Sequence, residues 1–265
     1  MARFFVDELP AEGSEYTLRG ENAEHAKVLR LRPGEAVTLC DGQGTDCPCS
    51  VVEGPRLLAG PSLPCPAEPR VRVSVWIAFP KADKAEHVIQ KAVELGAAEI
   101  VLFPSRCCVS RPDDKSLGKK LERWQKIARS AAEQSRRGVI PTVRAVGSYD
   151  AAIRGAAEAE LPILFYENEE HLTLHEVFSA IGTPLIRPGA HTGAPSPEGE
   201  GFGGRPAEGF SVSLMTGAEG GFSPEEVEQA KAAGLKICSL GPRILRCETA
   251  PLAGLTAVMY ALGEL

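Results

Sequence analysis

Two glycine-bearing stretches in the C-terminal quarter of the chain carry the residues best suited to chemistry: LMTGAEGGFSPEEV at 214–227 and SLGPRILRCETAPLAG at 239–254. Each follows a short apolar run, 210–215 and 235–240, that reads as a buried strand. Each ends in glycines that let main-chain groups approach a ligand closely. Glu219, Arg243, Arg246 and Glu248 are attached to these turns. One pocket walled mainly by backbone follows, and it suits a cofactor. A Rossmann site would need GxGxxG and an acid about 20 residues further on. The loop here is Gly217-Ala218-Glu219-Gly220-Gly221, and that spacing lands in the apolar run near Cys238. No Gly-Lys-Ser/Thr follows a strand, so a Walker loop is excluded as well.

The other reactive side chains point to no metal. Among eight cysteines, Cys47 and Cys49 form a CPC and Cys107 and Cys108 are adjacent; neither has the CxxC spacing of a tetrahedral zinc site. They read as reduced small hydrophobes. His171 and His175 lack the HExxH glutamate. No apolar run reaches the ~18 residues of a membrane span, and MARFFVDELP carries acids where a signal peptide needs an apolar stretch; a cytoplasmic, membrane-free protein is expected. Net charge is −6, but residues 71–150 hold 15 Lys and Arg against 9 acids, ten of the basic residues lying between 106 and 137. Such clustering attracts phosphate more than the total charge repels it.

The elements that must position these residues fall into two parts. At 265 residues and 43% apolar content the chain can bury a large core. Residues 1–70 read as a small β domain: short apolar runs, a tight turn at Asp41-Gly42, one helix over 22–31 with Asn22 as N-cap and Pro33-Gly34 as stop, and an irregular proline-rich connection over 54–70. From 71 to 265 strands alternate with helices, the signature of an α/β domain with a parallel sheet. Strands are predicted at 71–79, 99–103, 142–145, 161–166, 210–215 and 235–240, and helices at 82–95, 116–135 and 249–262. Another helix opens on Ser223 as N-cap, Pro224 at the first position and Glu226 closing a capping box. Residues 183–209, glycine- and proline-rich with few large apolar side chains, read as a flexible insertion.

FFV near the start, HAKVLRLRPGE, FPKADKAEHVIQKAVELG, SRCCVSRP, KKLERWQKIARSAAEQSRR, GAEGGFSPEE and LGPRILRCETA together resemble the bacterial 16S ribosomal RNA uridine N3-methyltransferase family, ribosomal RNA small-subunit methyltransferase E of the SPOUT superfamily. The resemblance spans both parts of the chain. It implies a PUA-like RNA-binding β-barrel followed by an α/β domain ending in a trefoil knot, a topology that connection rules would not propose. It also implies a homodimer that binds S-adenosylmethionine near the subunit interface and acts on 16S ribosomal RNA or the assembled small subunit.

Carried over by position, Leu214, Gly217, Glu219, Gly220 and Gly221 match the first cofactor loop, and Leu240, Gly241, Ile244, Leu245, Arg246, Glu248 and Thr249 the second. Phe165, Tyr166 and Glu167 supply the remaining wall. Two residues depart from the family: Ala218 stands where proline is usual, and Arg136 where EQSGR has glycine. Methylating a uridine at N3 requires stabilising the uridine anion, for which Arg246 is the candidate, with Glu248 orienting it and Glu219 accepting the proton. Arg3, Arg30, Arg32, Lys81, Lys84, Arg106, Arg111, Arg136 and Arg137 are the candidate RNA contacts, acting mainly on phosphates. The competing readings are a related methyltransferase with another RNA target and a noncatalytic ribosome-assembly factor.

Overall fold

The computed structural model describes residues 2–109, 112–180 and 208–265. The chain divides into two compact units, Met1–Glu68 with Ala128–Pro141, and Pro69–Ile127 with Thr142–Leu265. The expected division at residue 70 therefore becomes discontinuous, because 128–141 joins the first unit. The Glu68 carboxylate accepts the backbone N–H groups of Gly138 and Val139 at 2.7 and 3.0 Å, and the Gly44 N–H donates to the Gly138 carbonyl.

In the first unit β1 (Ala2–Phe5), β2 (Glu15–Thr17), β3 (Ala36–Cys40), β4 (Thr45–Glu53), β5 (Arg56–Ala59) and β6 (Leu63–Pro64) form one sheet, ordered β1-β3-β4-β5-β2 with β6 on β4. Phe4, Val37, Leu39, Cys47, Val51 and Leu57 fill its core. The stretch 54–70, expected to be irregular, contains β5 and β6, prolines notwithstanding. Pro64 sits in the two-residue strand β6, which pairs only with β4; an edge position leaves a missing N–H harmless. Helix α1 (Gly20–Leu29) begins two residues earlier than the sequence suggests. Asn22 is not its cap: the amide instead donates to the Phe5 carbonyl, tying the first turn to the end of β1.

The second unit holds an all-parallel sheet ordered β12-β10-β11-β7-β8-β9, from β7 (Arg72–Ala78), β8 (Glu99–Phe103), β9 (Thr142–Ala145), β10 (Leu161–Phe165), β11 (Ser211–Thr216) and β12 (Lys236–Cys238). Its strands β8 and β10 are almost continuously apolar, as burial on both faces requires. Helices α2 (Ala82–Glu94), α3 (Asp114–Gln134), α6 (Pro224–Ala232) and α7 (Ala250–Ala261) lie within two residues of their expected bounds. The Ser223 hydroxyl accepts from the Glu226 N–H and the Glu226 carboxylate accepts from the Ser223 N–H, completing the predicted capping box. Two short helices, α4 (Tyr149–Ala156) and α5 (Leu174–Ala180), were not foreseen. The predicted insertion lies outside the described residues except Glu208 and Gly209.

Candidate active site

Because β12, β10, β11 and β7 are neighbours and all parallel, their C-terminal ends share one edge of the sheet, where open α/β sheets hold their ligands. Four segments leave that edge: Tyr166 and Glu167 after β10, the turn 217–221 after β11, the turn 240–247 after β12, and the start of α2 after β7. They enclose a cavity of about 330 Å³.

Glycine is required at specific points of the first turn. A Cβ on Gly217 would lie 2.7 to 2.8 Å from the backbone of Gly221. Gly221 has φ +64° and rests against the Glu167 carboxylate, while Gly241 in the second turn has φ +98°. Ala218 is buried and its carbonyl accepts the Gly221 N–H at 3.0 Å, which closes the turn.

Of the residues expected at the cofactor, Phe165, Tyr166, Glu167, Gly217, Glu219, Gly221, Leu240, Gly241, Ile244, Leu245 and Arg246 line the cavity. Leu214, Gly220, Glu248 and Thr249 do not. Leu214 is fully buried within β11, Gly220 packs on Cys107, and the Thr249 N–H caps the second turn by donating to the Arg246 carbonyl. Sequence reasoning did not assign Lys84, Thr216, Cys247 or Ala250 to the pocket wall, and named Ala218 and Arg243 only as residues of the turns.

Lys84 is the main correction. Its ammonium lies 3.0 Å from Glu248 and 3.4 Å from Glu219, and donates to the Cys247 sulfur at 3.5 Å. It belongs to the pocket rather than to a phosphate-facing surface. Glu248 lies closer to Lys84 than to Arg246. Arg246 stands 83% exposed at the rim, 4.0 Å from the nearer Glu248 oxygen. The Lys84 hydrogen bond draws the Glu248 carboxyl down to about 2. Burial would raise Glu219, but the Lys81 N–H and Lys84 outweigh it and hold that carboxyl below its ordinary range. Burial, reinforced by Glu248, pushes the Cys247 thiol up to about 11, so it stays protonated.

The expected RNA contacts separate by exposure. Arg30, Arg32, Lys81, Arg106 and Arg136 are exposed, Arg106 within 3.3 Å of Glu225. Arg3 and Arg137 are not available to phosphate. Arg3 is buried against Asp46 and the Arg137 carbonyl, and the Arg137 guanidinium, 4% exposed, pairs with Glu68 at 2.8 Å. Arg111 lies outside the described residues. Arg136 holds φ +64°, the left-handed region that favours glycine.

Comparison with known proteins agrees with this layout. The family described as RNA methyltransferase domain matches residues 67–259, and the RNA methyltransferase PUA domain matches residues 18–58. The chain is thus an RNA methyltransferase with an N-terminal PUA domain. Ribosomal RNA small subunit methyltransferase E of Bacillus subtilis is 30% identical, with 98% of this chain and 96% of the relative covered. The Mycobacterium bovis protein of that name is 32% identical over 96% and 90%. Among solved structures, ribosomal RNA small subunit methyltransferase E from Neisseria gonorrhoeae bound to S-adenosyl methionine superimposes with TM-score 0.75 and 29% identity, covering 98% of this chain and 97% of that one. A methyltransferase from Legionella pneumophila in complex with the same cofactor gives TM-score 0.76 at 27% identity over the same shares. The chain belongs to the ribosomal RNA small subunit methyltransferase E family.

Proposed function

We propose that this protein transfers a methyl group from S-adenosylmethionine to N3 of a uridine in 16S ribosomal RNA of the small subunit. The observation that carries the reading is the cavity at the carboxyl ends of β10, β11 and β12, walled by the two glycine turns. The residues present fit the cofactor: main-chain groups of 217–221 and 240–245 can bond its polar atoms, Phe165 and Leu245 offer apolar surface, and Glu167 and Glu219 set negative charge beside a sulfonium. When bound, the cofactor supplies an activated methyl on a positively charged sulfur.

The chain's own part is orientation and charge. A walled site aligns donor and acceptor and sheds water from a reaction in which charge is lost. Arg246, exposed at the rim, reaches a base entering from solvent and balances the charge that N3 deprotonation spreads onto the flanking carbonyl oxygens. Glu219, which lines the cavity, is the carboxylate assigned to accept the N3 proton; Glu248 holds Lys84.

The same reading includes the trefoil knot and a homodimer. Support for the first is the return of β12 to pair with β10 after β11, followed by α7 packing back on β11 and β7. Support for the second is Ile244, 84% exposed beside the pocket mouth, which a second copy would cover. The test is incubation of the purified protein with labelled S-adenosylmethionine and small subunits lacking the mark, followed by mass mapping of the RNA. Label on a uridine base is expected. Label on ribose or on transfer RNA, or none on any RNA, would overturn the assignment.

A further inference from the structure

Helix α2 begins with an electrostatic mismatch. Lys84 sits in its first turn, where the helix dipole disfavours a cation. The mismatch is offset by carboxylates that come from elsewhere in the chain. Glu219 belongs to the turn after β11 and Glu248 to the turn after β12, and both meet the one ammonium, at 3.4 and 3.0 Å. Glu219 also accepts the Lys81 N–H at 3.1 Å, so the first turn is bound to the N-terminus of α2 twice. The second turn reaches α2 through Lys84, by Glu248 and by the Cys247 sulfur. Lys84 and both carboxylates are 22 to 27% exposed, so solvent and salt screen their attraction in part. Remove the cation and two ionised carboxylates would face each other across the space it fills.

We propose that Lys84 is the positioning residue that holds the two cofactor turns closed, tying Glu219 and Glu248 to the start of α2. The inference rests on the methyl-donor reading above and adds what keeps that pocket assembled. Lys84 does not react. It fixes the spacing between the turns 217–221 and 240–247, and so acts on donor binding before it acts on the chemical step.

The test is calorimetry with S-adenosylmethionine and steady-state kinetics on small subunits, for the parent protein and for K84M, K84R, E248Q and K84M/E248Q. K84M is expected to weaken cofactor affinity about tenfold and to raise KM for the cofactor by the same factor, with kcat within about threefold. K84R keeps the charge and stays within about threefold of the parent. In K84M/E248Q the repulsion is relieved, so the double variant loses less than the sum of the two single losses. Cofactor affinity unchanged in K84M, K84R as damaging as K84M, or losses that simply add would each overturn the assignment. If K84M does not fold, E248Q carries the test: cofactor affinity equal to the parent's overturns the tie. A parent protein that gives no heat with the cofactor sinks the methyl-donor reading and the tie together, whereas normal parent binding with an unaffected K84M sinks the tie alone.

Discussion

Arg3 meets Asp46 through both terminal guanidinium nitrogens, each 2.6 Å from a different carboxylate oxygen, with both side chains almost fully buried. The Cys40 thiol donates to the same carboxylate at 2.9 Å, and Arg3 also donates to the Arg137 carbonyl. An arginine expected on the RNA face is instead a structural cross-link between β1, β4 and the 136–139 segment of the first unit. Arg3→Ala leaves the Asp46 carboxylate, 11% exposed, without its cation, and the predicted loss is about 3–5 kcal/mol of stability, read from the denaturant midpoint. Burial alone would raise the Asp46 carboxyl, but the Arg3 hydrogen bonds outweigh it and hold it below the ordinary range. A depressed folded value means that the pair's stabilisation is complete above the ordinary carboxylate pKa of about 4 and lost as pH falls through the folded value. The parent should therefore lose stability below about pH 4 more steeply than Arg3→Ala does. Equal slopes would show that the pair does not carry the acid sensitivity.

Glycine 254 shapes the cofactor pocket from behind. In α7 it faces the Phe165 ring, and an added Cβ would lie 2.8 Å from the ring's para carbon. Phe165 also lines the cavity. Gly254→Ala gains about 1 kcal/mol of helix propensity but must displace a packed ring, at a cost of about 1–3 kcal/mol. The melting temperature should therefore change little or fall slightly. Cofactor affinity should fall several-fold, because a displaced Phe165 ring alters the cavity wall it forms. Calorimetry showing unchanged affinity in a folded Gly254→Ala would refute that coupling.

The cap of α6 gives a graded pair. Ser223→Ala removes one acceptor and is expected to cost about 1 kcal/mol, as N-cap losses do. Glu226 does more: its carboxylate, 2% exposed, accepts the N–H groups of both Ser223 and Arg106, at 2.9 and 2.7 Å. Glu226→Ala orphans two buried donors at about 1–3 kcal/mol each, so its loss should exceed that of Ser223→Ala at least twofold. Urea midpoints that rank the two the other way would contradict this hydrogen-bond assignment.

How legible these features were depended on how local their causes are. The capping box is written in four consecutive residues, Ser223 to Glu226, and was read correctly from them. The start of α1 was misplaced because Asn22 spends its amide on Phe5, a partner that no local pattern reveals. Helix α4 left a cue in Ser148, whose hydroxyl accepts the Ala151 N–H, but eight residues of mixed character gave too short a periodicity to register. In the site, the glycine turns were visible because main-chain strain shows in residue type. Lys84 was assigned to the wrong surface because its partners are distant in sequence. The available clue was a lysine in the first turn of a helix, against the dipole, which calls for nearby carboxylates. Arg3 and Arg137 show the converse: positive charge in the sequence does not say which way a side chain faces.

Arg30 and Arg136 are the two non-glycine residues with positive φ among the described residues, at +54° and +64°, and both are exposed candidates for phosphate. An L-residue in this region costs about 1–2 kcal/mol, which glycine avoids at the expense of a more flexible unfolded chain. Arg30→Gly and Arg136→Gly should therefore leave stability unchanged or raise it by up to about 1 kcal/mol. Affinity for ribosomal RNA moves the other way. With five exposed basic candidates remaining, the parent's log affinity should fall with log salt at a slope of roughly −3.5, and each glycine variant should flatten that slope by about 0.7. Opposite signs for stability and RNA affinity in one variant separate a phosphate contact from a structural residue. A variant that is more stable and binds RNA with the parent's affinity and salt slope would remove that arginine from the interface.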